Sequence, residues 1–382
     1  MRWQRTLFGG MLVFLPALSF AQNKEEYKWW DPATNAFPVI EGRGWPTETA
    51  GSYDRFPARA EKTVNPNVWN ISHSSAGEYI KFRSGAGSIT VRYVVKGSLS
   101  MSHMPTTGVS GIDLYCIDPE GRWLWAPGDR SYGDTIEYRF SHLSAGKLFA
   151  GRDLEYRLYL PLYTAVTWMQ IGVPVNASLT PMPLSRERPI VVYGTSIVQG
   201  ACASRPGMAW TNILQERMDR PLINLGFSGS GKLEPAIIDL MGEIDAKLYI
   251  LDCIPNMTEA AGFSPAELER RIIAAVRQLK AKRPAVPVLL AGHSGGGENG
   301  IMDTTKNNDY AGANEVLEKA FSTLKADGTE GIYLLTSRDM GFTIYSTVDG
   351  LHPGDVGMME YADAYEKIIR KIFTLKPYLK KK

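Results

Sequence analysis

Cysteine is scarce in this sequence: Cys116, Cys202 and Cys253 are the only 3 in 382 residues. An odd number at wide, unrelated spacings is not a disulfide framework, so at most one bridge can form, and the sequence leaves open whether Cys202 and Cys253 pair. None of them has a second cysteine or a histidine at ligand spacing, and the 5 histidines contain no H-x-x-x-H pair. No metal site and no cofactor are therefore predicted.

An excess of one charge is also missing. The 42 basic and 40 acidic residues give a net charge of +2, and the only basic run is the terminal "LKKK". Nothing here favours nucleic acid or an acidic polymer as a partner. With 44% hydrophobic residues the chain can bury a substantial core, and its length favours two domains. The sequence does not indicate an oligomeric state.

The longest apolar run lies at the N-terminus. Two arginines precede an apolar stretch over 7–20, and Ser19 and Ala21 supply small residues for cleavage after Ala21. This pattern predicts a secretory signal peptide over 1–21, and therefore a periplasmic or extracellular protein. The stretch is too short to span a bilayer comfortably, so no membrane span is predicted.

Residues 22–180 contain short runs rich in Tyr, Trp and Thr between turn residues: "SITVRYVV", "WLWAP", "DTIEYRF", "LEYRLYLPL" and "AVTWMQIGV". Such runs predict an antiparallel β-sandwich. Prolines and charges are then concentrated over 181–188, which predicts a linker without regular structure.

From residue 189 to 382 the pattern changes. Five apolar runs, "IVVYG", "PLINLG", "KLYILD", "VPVLLAG" and "GIYLLT", alternate with helical stretches. This alternation predicts a parallel sheet with helices on both faces. In "SPAELERRIIAAVRQLKAKRP", Ser264 is placed as a cap, Pro265 at the first helical position and Glu267 to close a capping box. Ligands bind at the carboxyl ends of parallel strands, so the residues after each run are the site candidates.

Two serines follow such runs. Ser294, in "GHSGG", matches the G-x-S-x-G turn that exposes the nucleophile of α/β-hydrolases. That turn requires a following helix, whereas no helical period is visible until about Tyr310, so we predict a loop. Ser196, in "YGTS", follows a buried strand, and a helical pattern resumes in "GMAWTNILQERMD". Ser196 is the better candidate, although a Gly-x-Ser after a strand can also be only a helix cap or turn.

Further segments accompany Ser196. "YGTSIVQG" resembles the serine block of the SGNH/GDSL hydrolases, "NLGFSGSG" the glycine block, "LDCIPNM" the asparagine block and "DGLHP" the D-x-x-H block. "GIDLYCID" resembles the G-x-D-L-Y motif of the β-rich domain that precedes some of these enzymes. The resemblance implies an α/β fold, a flavodoxin-like three-layer α/β/α domain preceded by an all-β, jelly-roll-like sandwich. The sequence departs from the commonest pattern at Gly-Thr-Ser-Ile and at Pro255-Asn256.

Ester cleavage needs a nucleophile, a base, a group that orients the base, and donors for the oxyanion. We predict Ser196 as nucleophile, His352 as base and Asp349 as the group that orients it, since a D-x-x-H turn can present both side chains together. The alternative is an Asp-Gly turn followed by a solvated histidine. The backbone N–H groups of Ser196 and Gly229 and the side-chain amide of Asn256 would form the oxyanion hole, the last two as implied by the resemblance.

The substrate is less well defined by sequence. We expect the "GHSGGGE" loop to shape the pocket, with His293 or Glu298 on the alcohol part of the substrate, although a purely structural loop fits equally. His73, His103 and His142 are interpreted as structural residues of the β-rich domain.

Export and an aromatic-rich companion domain favour a secreted serine esterase that removes acetyl groups from carbohydrates. Tryptophan faces can stack on sugars, although Trp123 and Trp125 can equally be core residues. Two alternatives remain at this point: an α/β-hydrolase-type esterase or thioesterase that uses Ser294, and a glycan-binding protein without catalysis.

Overall fold

The computed structural model describes residues 26–143, 152–295 and 302–374. A β-rich region is followed by an α/β region with a parallel sheet. The β-rich region contains β1 (Tyr27–Trp30), β2 (Ile40–Glu41), α1 (Pro66–Ser72), β3 (Tyr79–Ser84), β4 (Ile89–Lys96), α2 (Thr106–Val109), β5 (Asp113–Ile117), β6 (Trp123–Ala126), β7 (Asp129–Ser131), β8 (Ile136–Phe140), β9 (Leu154–Tyr159), β10 (Ala165–Pro174) and β11 (Thr180–Pro181). The α/β region contains β12 (Ile190–Gly194), α3 (Ser196–Gln199), α4 (Trp210–Met218), β13 (Leu222–Gly226), α5 (Pro235–Met241), β14 (Leu248–Asp252), α6 (Pro265–Lys282), β15 (Val288–Ala291), α7 (Thr304–Ala326), β16 (Ile332–Leu335) and α8 (Asp355–Ile372).

The β-rich region is a sandwich of two antiparallel sheets. One sheet has the strand order β1-β10-β4-β8-β7, and the other β11-β3-β9-β5-β6, with β2 also paired to β3. Alternate residues of both sheets point inward and share one apolar core, in which Phe82 stacks on Tyr156 with ring centroids 5.6 Å apart. The five aromatic runs that predicted strands all contain one, and the predicted all-β sandwich is confirmed.

The predicted linker follows the sandwich for part of its length. Pro181 ends β11, which pairs with β3, and the Met182 N–H donates to the Lys81 carbonyl at 3.1 Å. A proline is tolerated there because an edge strand leaves one side unpaired. The expected lack of regular structure is therefore wrong at Pro181, whereas residues 182–189 contain no helix or strand.

The α/β region has a parallel five-stranded sheet in the order β13-β12-β14-β15-β16, the flavodoxin-like arrangement. Helices α5, α6 and α7 cover one face, and α4 and α8 cover the other. Because both faces are covered, every residue of β12, β13 and β14 is buried. The three-layer α/β/α prediction is confirmed, and the register places Gly194 beside Gly226 and Asp252 at the carboxyl edge of the sheet.

Helix α6 begins as its sequence predicts, with one difference. The Ser264 hydroxyl accepts the Glu267 N–H at 3.3 Å, and Pro265 occupies the first position. The Glu267 carboxylate, however, pairs with Arg270 and Arg271, each at 2.7 Å. The predicted capping box is therefore only half formed, because two nearby guanidinium groups compete for the carboxylate.

Helix α7 begins at Thr304, before the helical period visible from about Tyr310. The Asp303 carboxylate caps it by accepting the Lys306 N–H at 3.1 Å. Its first turns contain asparagines and a glycine, which have low helix propensity, so the packing of the later turns carries the start of the helix.

The sandwich is joined to the sheet by buried contacts. Arg55, of which 1% is exposed, donates to the carbonyls of Asn224 and Gly226 at 3.2 and 2.7 Å. Burial lowers the pKa of Arg55 to about 10, against the opposing effect of Glu78. Trp45 packs in the core of the α/β region. The end of β13 is thus held by the β-rich region.

The 3 cysteines are all buried and free, so Cys202 and Cys253 do not pair. Within the ranges described, no helix has the length and apolar character that crossing a bilayer requires.

Candidate active site

Ser196 lies at a sharp strand-to-helix turn. Strand β12 ends at Gly194, and α3 begins at Ser196 itself, with the Thr195 hydroxyl accepting the Ile197 N–H at 3.3 Å. A side chain on Gly226 would approach the Gln199 nitrogen to 2.2 Å, so glycine is required for α3 to lie against the sheet. Ser196 is therefore presented at the carboxyl end of β12, between the ends of β13 and β14.

The structure brings Ser196, His352 and Asp349 into one hydrogen-bonded chain. The Ser196 hydroxyl oxygen lies 2.8 Å from His352 Nε2, and His352 Nδ1 lies 2.8 Å from Asp349 Oδ2. A carboxylate at Nδ1 selects the tautomer with its proton there, which leaves Nε2 as an acceptor. The sequence alternative of a solvated histidine does not apply, because only 16% of the His352 side chain is exposed.

The loop that carries Asp349 is ordered by the same carboxylate. Asp349 Oδ1 accepts the backbone N–H groups of Leu351 and His352 at 3.0 and 2.8 Å. Partial burial by itself would raise the pKa of Asp349, but the hydrogen bonds from His352 hold it below its usual range. The D-x-x-H spacing thus lets one ionised carboxylate close the turn and orient the ring.

The three predicted oxyanion donors come from adjacent strand ends. Gly229 has φ +67°, in the left-handed region, and open space beside its Cα. The Gly231 N–H donates to Asn256 Oδ1 at 3.2 Å, which orients the Asn256 amide and leaves its NH₂ group without a partner in the described residues. No hydrogen bond within those residues engages the Gly229 N–H either. These donors are therefore available to a ligand.

The Ser294 segment has a different environment. Ser294 is buried, and among the described residues its hydroxyl makes no hydrogen bond to a histidine or carboxylate. His293 has no exposed surface, and its ring packs edge-on against Tyr310 with centroids 4.4 Å apart. Burial lowers the pKa of His293 to about 3, with His352 adding to the effect.

These positions correct one prediction. A fully buried side chain cannot touch substrate, so His293 belongs to the packing behind the strand ends and does not contact the alcohol part. Glu298 lies outside the described residues.

The G-x-D-L-Y motif supports the segment that follows the serine helix. Asp113 Oδ2 accepts the Gly207 N–H at 2.7 Å and Arg205 Nη1 at 3.0 Å. Arg205 also donates to the Tyr115 hydroxyl at 2.6 Å. The motif was recognised in the sequence, but its partners are nearly a hundred residues away and no local signal indicates them.

The two tryptophans of β6 are neither buried in the core nor free to stack on a sugar ring. Trp125 is 48% exposed and lies under the Arg205 guanidinium, 4.5 Å from ring to cation. Trp123 lies under Arg157 at 4.4 Å. Both rings therefore take part in cation–π contacts, one of them with the α/β region.

His103, interpreted from sequence as structural, lies beside the candidate site. Its ring centroid is 5.6 Å from that of His352, and Cys202 lies close to both. Tyr163 of the β-rich region also reaches the site, where its hydroxyl donates to the Ser196 carbonyl at 3.2 Å. Neither residue is part of a motif, so only folding reveals their position.

Two family models match consecutive parts of the chain. The GDSL-like lipase/acylhydrolase family matches residues 187–370, and the N-terminal domain of SGNH-hydrolase-type esterases matches residues 27–179. No curated protein matches the sequence significantly.

Several solved structures share the fold. A protein of Bacteroides ovatus ATCC 8483, described as a GDSL-like lipase, is 28% identical over 93% of this chain and 100% of its own, with a TM-score of 0.82. The salicylyl-acyltransferase SsfX3 of a tetracycline biosynthetic pathway is 18% identical over 91% and 98% of the two chains, with a TM-score of 0.68. A family two carbohydrate esterase from Cellvibrio japonicus is 13% identical over 91% and 98%, with a TM-score of 0.57.

The family matches and the first of these structures define the protein as a carboxylic ester hydrolase. Within that class, the chain belongs to the SGNH/GDSL hydrolases of the two-domain type, in which a β-rich domain precedes the hydrolase domain.

Proposed function

We propose that this protein is an exported esterase that removes short acyl groups, above all acetyl, from carbohydrates, with Ser196, His352 and Asp349 as its catalytic triad. The observation that carries the triad is the continuous chain of two 2.8 Å contacts from the Ser196 hydroxyl through His352 to Asp349. Ser294, the competing nucleophile, has no such base in the described residues.

In this mechanism His352 Nε2 accepts the Ser196 proton while the serine oxygen attacks the acyl carbon. Asp349 stabilises the imidazolium that forms, and the same ring then protonates the leaving alcohol. Water, deprotonated by His352, hydrolyses the acyl-enzyme. Proton movements thus pass through a single nitrogen, which is the one that faces Ser196.

The developing oxyanion would be held by the N–H groups of Ser196 and Gly229 and the Asn256 NH₂ group. The hydrogen bond from Gly231 to Asn256 Oδ1 sets the amide orientation in advance, so little reorganisation accompanies the reaction.

A cleft of about 570 Å³ between the two domains is large enough to accommodate a bulky alcohol or acyl group. Its walls include Lys96 and Thr167 from the sandwich and Gln199 and Ser228 from the hydrolase domain. Ser228 directly precedes the oxyanion donor Gly229, and the Ser228 N–H donates to Gln199 at 3.0 Å. Polar side chains in this lining, among them Gln199 and Ser228, could hydrogen-bond the hydroxyl groups of a sugar.

The carbohydrate assignment also draws on export and on the fold shared with a carbohydrate esterase. Export rests on the N-terminal pattern over 1–21. Mass analysis of the protein recovered from culture or periplasm should give a chain that begins at Gln22. Recovery of the uncleaved chain from the cytoplasm would contradict export.

The central experiment compares p-nitrophenyl acetate hydrolysis by the wild type, Ser196→Ala and Ser294→Ala, with folding followed by circular dichroism. We expect Ser196→Ala to lose at least about 10⁴-fold in kcat because the nucleophile is gone, and Ser294→Ala to keep most activity. The reverse result would assign the chemistry to Ser294. Acetylated xylo- and cello-oligosaccharides, compared with p-nitrophenyl esters of longer acids, then test the substrate: faster turnover of the long esters would contradict the acetyl assignment.

A further inference from the structure

Three possible metal donors converge beside the candidate nucleophile. The ligand atoms of His103, Cys202 and His352 all lie within 4.8 Å of one another. They come from three separate segments: a turn of the sandwich, the chain after the serine helix, and the D-x-x-H loop. The sequence spacing that argued against a metal could not show this group.

Two of the three donors make no strong hydrogen bond within the described residues, whereas His352 Nε2 would have to exchange its 2.8 Å contact with Ser196 for the metal. His103 lies in a tight turn closed by Met101 and Met104 and is exposed, and its one hydrogen-bond contact within the described residues is long, 3.5 Å to Ser102. Cys202 has φ +69°, a strained conformation for a residue other than glycine, and its thiol is buried and not in a disulfide.

The donor set indicates the kind of ion. Two imidazoles and a thiolate suit zinc and other borderline or soft divalent ions, at about 2.0–2.3 Å from each ligand. Tetrahedral geometry then requires ligand separations of about 3.4–3.6 Å. Separations within the cluster would therefore have to close by up to about 1.3 Å, to which the exposed His103 side chain can contribute. Asp349, 2.8 Å from the His352 ring, adds negative charge behind the cluster, in the manner of outer-shell carboxylates.

We propose that His103, Cys202 and His352 form an inhibitory site for zinc or a similar divalent ion, with water or hydroxide as the fourth ligand. Binding would release the Cys202 thiol proton to solvent and form bonds from the metal to the sulfur and to one nitrogen of each histidine. His352 would then be withdrawn from Ser196 and could not accept its proton. The binding site stands on geometry alone, whereas inhibition rests on the proposed catalytic role of His352.

Binding is tested with Co²⁺, whose thiolate charge-transfer absorption reports a Co–S bond, and with Zn²⁺ by calorimetry. The protein for both is the Ser196→Ala variant, which needs no activity. We expect one equivalent of each metal to bind, and binding to weaken at least 10-fold in the additional variants His103→Ala and Cys202→Ser. Absence of thiolate absorption, or equal binding in these variants, would overturn the site.

Inhibition is tested on p-nitrophenyl acetate hydrolysis with Zn²⁺ and reversal by EDTA. We expect His103→Ala and Cys202→Ser to keep basal activity and to become at least 10-fold less sensitive to Zn²⁺. His142→Ala, which removes an exposed histidine elsewhere in the sandwich, should keep wild-type sensitivity. Equal sensitivity of all variants to Zn²⁺ would overturn inhibition through this cluster. If the metal binds but ester hydrolysis does not depend on Ser196, the proposed catalytic triad is refuted and the proposed metal site still stands.

Discussion

The loops of Ser196 and Ser294 leave the carboxyl edge of the same parallel sheet, yet they have opposite environments. Both serines are nearly buried, with 6% and 9% exposed. Ser196 lies 2.8 Å from a histidine that another loop supplies, whereas Ser294 faces no histidine or carboxylate in the described residues. The strand end positions a serine, but a second loop has to bring the base.

The literal G-x-S-x-G motif lies in the Ser294 loop, whose backbone differs from that of a nucleophile turn. A G-x-S-x-G sequence encodes a tight turn, and its catalytic meaning requires a helix directly after the serine. Helix α3 begins at Ser196, whereas α7 begins only at Thr304. The two loops therefore differ in backbone conformation and in the side chains that contact each serine. Four substitutions test what each of these regions contributes.

Asp349→Asn should have the largest effect. An amide cannot stabilise the imidazolium and favours the wrong tautomer of His352, so kcat for p-nitrophenyl acetate should fall by about 10⁴-fold with folding unchanged. Asp339→Asn, at an exposed aspartate that contacts Thr336 and no histidine, should change kcat little. A similar loss of kcat in the two variants would show that Asp349 has no specific role in the mechanism.

Asn256→Ala should lower kcat by about 10²–10³-fold, because one oxyanion donor is lost. The matched amide is Asn314 of α7, which contacts the Ser294 loop: it accepts the His293 N–H at 2.8 Å and donates to the His293 carbonyl at 2.9 Å. Asn314→Ala should cost about 1–3 kcal/mol of unfolding free energy and leave kcat nearly intact. The idea fails if steady-state kinetics show the larger kcat loss in Asn314→Ala.

Asp113→Ala should act on the segment after Ser196. The substitution removes the acceptor for Arg205 and Gly207 across the domain boundary, so the unfolding free energy measured with urea should drop by about 3 kcal/mol. Asp134→Ala, at an exposed residue, is the control. A stability equal to that of the wild type would mean that the motif does not hold the domains together.

His293→Leu should have the smallest effect at neutral pH and a visible one in acid. The pKa of His293 is about 3 in the folded chain and about 6.5 when unfolded, so the unfolded state takes up the proton first as pH falls. This histidine therefore contributes stability above pH 6.5 that is lost toward pH 3, at roughly 1.4 kcal/mol per pH unit. Between pH 7 and 5 the variant should lose about 2 kcal/mol less than the wild type in urea unfolding. Identical losses would show that His293 titrates normally.

Much of the fold could be predicted from the sequence, because its signals are local. Alternating aromatic runs predicted the sandwich, buried apolar runs predicted the parallel strands, and Ser264 and Pro265 predicted the start of α6. The order of the four blocks predicted that Ser196, Asn256 and His352 would meet, since parallel strands end at one edge. The start of α7 was missed because asparagine and glycine obscure its first turns.

Other features have no local signal. No sequence pattern indicates that Arg55 donates hydrogen bonds to the end of β13, or that Asp113 accepts one from Gly207. His293 or Glu298 was expected on the substrate because their loop follows a strand end, with a purely structural loop as the alternative; packing against Tyr310 buries His293. These outcomes depend on which distant segments pack together.

The sequence by itself determined the order of the strands and helices, the family and the residues that can carry the chemistry, because periodicity, caps and motifs act over a few neighbouring residues. Only the tertiary structure decided which serine has a base, which histidine is buried, and that His103, Cys202 and His352 lie together. The physical reason is that hydrogen bonding, burial and coordination depend on distances of a few ångströms between segments far apart in the chain.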